Sequence, residues 1–295
     1  MKKAILMFLV CALAACAKKP AQSLSEDMAE DAVIEAGVGV VSGLSDEQAG
    51  ESYVAIRSSM TEQMFAVVQN ALLPRAEADI MCGRAIFAGC SSGVREATYN
   101  SCQPGGSRAT LNGFVRLSYS QAGCTLATTG DSVVRSYQMN FTGPHGGVAT
   151  VTSAVSSDYQ GQSYGGGGRL TKTALGHSAE ILGKHISVSV GSRALYNVSV
   201  HTTSPVGITG SLGRSNRLVD GGLLEVNHNL RGFTASIQPH GLQWVSGCCY
   251  PVSGSLEIQY SGSRTGSATI TFNGCGSAQR VANGAERDLN LNYCE

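Results

Sequence analysis

The chain predicts a mainly β protein: a helical N-terminal stem followed by a disulfide-rich antiparallel β domain of sandwich type. Three observations carry this. From residue 82 onward eight cysteines stand in an even number. Over the same stretch short runs alternate apolar and polar residues, the mark of strands with one buried face. Before it lie two segments rich in helix formers, each opened by a capping-box pair, and in the second the apolar residues recur at three- and four-residue steps, the spacing of a helix face.

Composition narrows the class. The 295 residues include 21 basic and 21 acidic side chains, 37 Gly and 10 Cys, and 42% are apolar. That apolar share supports a core, while the low charge and high Gly exclude a coiled coil or an acidic disordered chain. A neutral balance also argues against a nucleic-acid binder, which carries a strong basic excess.

Lys2 and Lys3 precede an apolar run from Ala4 to Leu13, then small residues and Cys16. This is the layout of an export signal, and its ten apolar residues fall short of the ~20 needed to span a bilayer. Leu13-Ala14-Ala15-Cys16 resembles the lipobox of bacterial lipoproteins. The resemblance covers residues 1–16 and implies a signal peptide over 1–15, lipid on the Cys16 sulfur, cleavage before Cys16 and acylation of the new terminus. It thus implies a palmitate-type anchor that makes the lipid bilayer a partner of acylated Cys16. In that family Asp after the lipidated Cys favours the inner membrane. Ala17 stands there, so the resemblance implies the outer membrane of a Gram-negative cell envelope.

Residues 16–80 read as a tether and an acidic helical stem. Ser23 with Glu26, and Ser45 with Gln48, have capping-box spacing. Tyr53, Ile56, Met60, Met64, Val67, Val68 and Ala71 then form one stripe, stopped by Pro74. Residues 17–80 hold 4 basic and 11 acidic residues, 4 − 11 = −7, whereas 81–295 hold 15 and 10, or +5. Thirteen of those 15 are Arg, which suits bidentate pairing with carboxylate or phosphate.

Residues 81–295 read as the β domain. Alternation places strands at Asn112 to Tyr119, Ser132 to Phe141, Val206 to Leu212, Leu223 to Leu230, Thr234 to Ile237, Ser255 to Tyr260 and Ser267 to Phe272. Ile186 to Val190 and Tyr196 to Val200 form a hairpin around Gly191 to Arg193. Gly165 to Gly168 is a flexible loop and a candidate boundary between two halves. An exported chain meets an oxidising compartment, so Cys82, Cys90, Cys102, Cys124, Cys248, Cys249, Cys275 and Cys294 are disulfide candidates. Eight cysteines allow 105 connectivities. Pairing within each cluster of four is the economical arrangement. Without a Cys-x-x-Cys spacing a zinc site is not expected, and no cofactor is implied.

Candidate chemistry is sparse. Gly176-His177-Ser178-Ala179-Glu180 approaches the G-x-S-x-G nucleophile elbow, with Glu180 in place of the last Gly. Gly130-Asp131-Ser132 resembles the opening block of GDSL esterases, with Val133 in place of Leu. An envelope serine hydrolase using Ser178 or Ser132 is therefore the alternative reading. His185 and His201 are candidates to face each other across the hairpin, and Trp244 with Tyr250 offers either a carbohydrate platform or a core packed beside a bridge. With no complete catalytic constellation, the expected role is binding or structural support, with an envelope protein or glycan as ligand.

Overall fold

A computed structural model of the chain describes residues 89–290, apart from 103–109, 144–145, 154–155, 158–162, 165, 211, 213–214 and 249. The signal peptide, Cys16, the stem over 16–80, Cys82, Cys249 and Cys294 lie outside the described residues. Every described regular element is a strand: β1 (Val94–Cys102), β2 (Thr110–Tyr119), β3 (Ser132–Thr142), β4 (Gly147–Thr152), β5 (Ser156–Ser157), β6 (Ser163–Tyr164), β7 (Gly167–Lys172), β8 (Gly176–Val190), β9 (Arg193–Ser204), β10 (Val206–Thr209), β11 (Leu218–Asp220), β12 (Leu223–His228), β13 (Phe233–Gln243), β14 (Ser253–Gly262), β15 (Gly266–Gly274), β16 (Ser277–Ala282) and β17 (Ala285–Asn290). Fifteen of them form one antiparallel sheet, and β5 pairs only with β6.

The sheet is a meander in which three strand positions are each filled by two collinear segments. Between β3 and β8 the position is shared by β4, which pairs with Gln138–Thr142 and His185–Val190, and β7, which pairs with Ser132–Arg135 and His177–Gly183. On the other side of β8, β9 and β10 share the next position, and β12 and β11 the one after. Gly167 and Gly168 are thus part of the sheet, because β7 is bonded on both sides.

Local chemistry explains the turns. Asn283 and Gly284 link β16 to β17 with φ of 49° and 78°, both in the left-handed region that a two-residue type I′ hairpin requires and that Asn-Gly tolerates best. Cys90 is bonded to Cys124 and Cys248 to Cys275, with Cα separations of 5.9 and 5.5 Å. Each bridge links cysteines of the same sequence cluster. Cys102 is also disulfide-bonded.

One face of the sheet is apolar and buried. Cross-strand rows run through Met139, Val151, Ile186 and Val198, and through Val200, Val226, Ala235 and Tyr260, most of them under 6% exposed. The strands at the two ends of the order carry charge, Arg95 and Glu96 on β1 and Glu286 to Asp288 on β17. Charged edges discourage edge-to-edge pairing with another copy.

Aromatic packing on this inner face encloses a histidine. His228, 5% exposed, lies edge-on to Tyr196 at 5.9 Å and tilted over Phe233 at 5.2 Å. Burial, with Arg231 nearby, pushes its imidazole down to about 4. The unfolded chain then binds a proton that the folded chain refuses between pH 6.5 and 4, so stability falls as pH falls through this window. Full titration corresponds to about 3 kcal/mol. Urea titrations at pH 7 and pH 4.5 are expected to show this loss, and His228→Phe to remove that part of it. An unchanged pH dependence in the variant would sink the assignment.

Candidate functional site

The opposite face of the central strands is polar because the same alternation that places Val, Ile and Leu on one face turns Ser, Thr, Asn and His to the other, and part of this second face is covered too, with Ser199 at 0% and Thr234 at 5% exposed. Two adjacent rows result. Asn112, Asn140, Thr150, Ser187 and Asn197 stand opposite one another across β2, β3, β4, β8 and β9, and Thr152, His185, Ser199, Asn227 and Thr234 across β4, β8, β9, β12 and β13.

Side-chain bonds knit the rows together. The Thr150 hydroxyl donates to Asn140 Oδ1 at 2.9 Å. His185 Nε2 lies 2.9 Å from Asn197 Oδ1, which also accepts from Asn229 Nδ2 at 2.6 Å, and that amide reaches Ser199 Oγ at 3.2 Å. Thr234 donates to Asn227 Oδ1 at 2.7 Å. Asn227 is 1% exposed, yet its Nδ2 has no hydrogen-bond partner among the described residues. A buried amide donor left unmade costs about 1–3 kcal/mol. Next to these rows His201 Nε2 stands 3.3 Å from Glu225 Oε2. The first row, from Asn112 to Asn197, is at least partly exposed and offers amides and hydroxyls at strand spacing, whereas Ser199, Asn227 and Thr234 of the second are buried.

His185 and His201 do not face each other: His185 is opposite Ser199, and His201 is opposite Glu225. A register shift between Val188 and Ser189 fixes this alignment.

The two serine candidates occupy other settings. Ser178 lies inside β8, backbone-paired with Thr171 on one side and Gly207 on the other, so the stretch is extended strand and not the strand-to-helix turn that an elbow needs. Ser132 begins β3, and its amide donates to Ser120 Oγ at 2.8 Å. Among the described residues neither hydroxyl is bonded to a histidine. Asp131, beside Ser132, works as a turn brace: it accepts from Thr128 N and Gln121 Nε2, each at 2.7 Å, and these bonds hold its carboxyl below the ordinary range.

Trp244 and Tyr250 are core residues, 0% and 3% exposed. The Arg217 guanidinium, itself 0% exposed, sits 5.3 Å from the Trp244 ring centroid and donates to Leu212 O at 2.7 Å. Burial withdraws that indole from any carbohydrate surface. The polar rows were not singled out from the sequence, although the signal existed: Asn, Thr, Ser and His at every second position of strands identified by their apolar partners.

No family model, curated protein or solved structure matches this chain.

Proposed function

We propose that the chain is a lipoprotein of the outer membrane, anchored by acylated Cys16, whose β domain is a binding module for a polyhydroxylated envelope glycan held on the polar rows. Residues 16–80 serve as an acidic helical spacer, and the sheet folds over its apolar face as a sandwich. Burial supports the last point: Ala97 on β1, at one end of the strand order, and Ala278 on β16, next to the other end, are 2% exposed, and a flat single layer leaves such residues in water.

The observation that carries the binding reading is the partly exposed row from Asn112 to Asn197, with Asn197 and Asn229 already oriented by one another and by the buried Ser199. Preformed donors and acceptors reduce the ordering cost of binding. The lipobox resemblance carries the location. Intact mass and membrane partition of wild type beside Cys16→Ser test the anchor: the expected result is acyl mass on wild type and release of the variant into the soluble fraction. Co-sedimentation with isolated cell-wall glycan tests the module, and Asn197→Leu is expected to weaken it about tenfold, the equivalent of one or two hydrogen bonds. Equal sedimentation of the variant and wild type would overturn the assignment of the rows.

A further inference from the structure

On the opposite, buried face the meander contains two cations. Lys184 of β8 stands directly across from Val200, which is 0% exposed, and so falls in the apolar row that continues to Val226 and Ala235. Arg135 of β3 stands across from Leu117, 5% exposed, and belongs to the same face as Val133 and Met139. Both side chains are half-buried, and Arg135 Nε is fully enclosed without a hydrogen-bond partner. Among the described residues neither cation has an ion pair. Burial, reinforced by the charge of Arg135, holds the Lys184 ammonium down to about 8.

Their position in the sheet matters. They stand where the strand position between β3 and β8 is split. β4 ends at Thr152, and Ser153 makes the last contacts, its amide donating to Tyr137 O at 2.9 Å while its hydroxyl accepts from Tyr137 N at 2.8 Å. The chain then leaves the sheet, forms the β5–β6 hairpin, and rejoins through Gly166 and Gly167. β6 lies against β8 and β9. Around the cations side chains are missing: Gly168 is opposite Arg135, and Gly167 is opposite Gly183. The closeness at Gly167 is enforced, since its φ is 81° and an added Cβ would lie 1.9 Å from Arg135 O. The split therefore leaves a strip of bare backbone beside two charges that no described residue neutralises.

Two like charges partly withdrawn from water, with no counter-ion among the described residues, are costly, and such an arrangement in a fold is a mark of a ligand site. An anion placed between them offsets both desolvation costs at once. We infer that Arg135 and Lys184 form an anion site on the inner face of the sheet, at the split between β4 and β7, which takes a carboxylate or a phosphate group. The guanidinium supplies a planar donor fork and the ammonium a point charge, the pairing that suits either oxyanion. The site is independent of the polar rows, which lie on the other face.

Equilibrium dialysis of the full chain, run separately against inorganic phosphate and against decanoate below its micelle concentration, tests the site. Saturable binding of one equivalent of either anion is expected, weakened at least tenfold in both Lys184→Met and Arg135→Met. Retention of phosphate identifies a free oxyanion as the ligand, and retention of decanoate alone identifies an anion carried on an apolar chain. Lys184→Met is also expected to melt higher than wild type without ligand, because it removes an uncompensated charge, and no higher once the anion is bound. Failure of both anions to bind at millimolar concentration, or binding unchanged in both variants, overturns the site. Lys184→Gln repeats the measurement if either Met variant does not fold. Glycan co-sedimentation of the same variants stays at the wild-type level, so loss of one property does not mimic loss of the other.

Discussion

Trp244→Ala is expected to lower the unfolding free energy by about 3–5 kcal/mol, the cost of emptying a large aromatic site in a packed core. The indole is 0% exposed, so the full transfer term applies. A second loss adds to it. Arg217 is also 0% exposed with its guanidinium over the ring, and removal of the ring takes away one of the contacts that compensate a buried charge. The backbone link between the two, Trp244 N to Arg217 O at 2.9 Å, is retained, so the variant keeps its strand register and reports on packing. Trp244→Phe keeps an aromatic face and is expected to lose less than half as much. Urea unfolding followed by far-UV circular dichroism measures both. A loss below about 1 kcal/mol in Trp244→Ala would place the side chain outside the core.

Replacing both cysteines of the second bridge, Cys248→Ser with Cys275→Ser, is expected to cost about 3.5 kcal/mol. The bridge closes 27 residues, and the chain-entropy relation for a loop of that length yields this figure. The enclosed segment holds all of β14 and β15, which pair with each other, and β14 pairs in turn with β13. Opening the loop enlarges the unfolded ensemble without removing a core contact of comparable size, so the loss should appear with a steeper denaturant slope. Cys275 is exposed, so a thiol reductant should reach the bridge in the folded protein and reproduce the same destabilisation. Calorimetry in which the double variant and wild type melt together would show that the bridge contributes nothing.

The parts of the fold that were legible are those in which alternation is unbroken. β2, β3, β14 and β15 follow the sequence pattern to within two residues at either end, and the hairpin of β8 and β9 turns on Gly191 as the pattern implies. β8 itself is longer, Gly176–Val190, because its buried positions change phase: Ala179 and Ile181 are buried, and then Val188. A phase change looks like the end of a strand when only the pattern is read. β7 begins with two glycines, β17 is charged, and β11 has three residues, so none of them carries a periodic signal. β13 contains Pro239, which argues against a strand, yet the strand continues through it.

The candidate sites follow the same division. Ser178 and Ser132 stood out because short motifs are visible without a fold, and the fold places both in extended, paired backbone. The polar rows needed cross-strand register, which joins residues from five strands in each row. The inner cations were the least visible. Lys184 falls on the apolar face only after the register shift between Gly167 and Gly168, and no count along one strand discloses that.

The meander has a kinetic consequence. Each strand of the large sheet bonds to strands near it in the chain, and the pairings that skip elements, β3 with β7, β4 with β8, β8 with β10, β9 with β12 and β11 with β13, pass over no more than three strands. Contact order is therefore low for an all-β protein, and folding is correspondingly fast for its class. A chain that reaches its compartment one end first can add each hairpin to a sheet already laid down. No strand waits, unpaired and prone to aggregate, for a partner still to arrive.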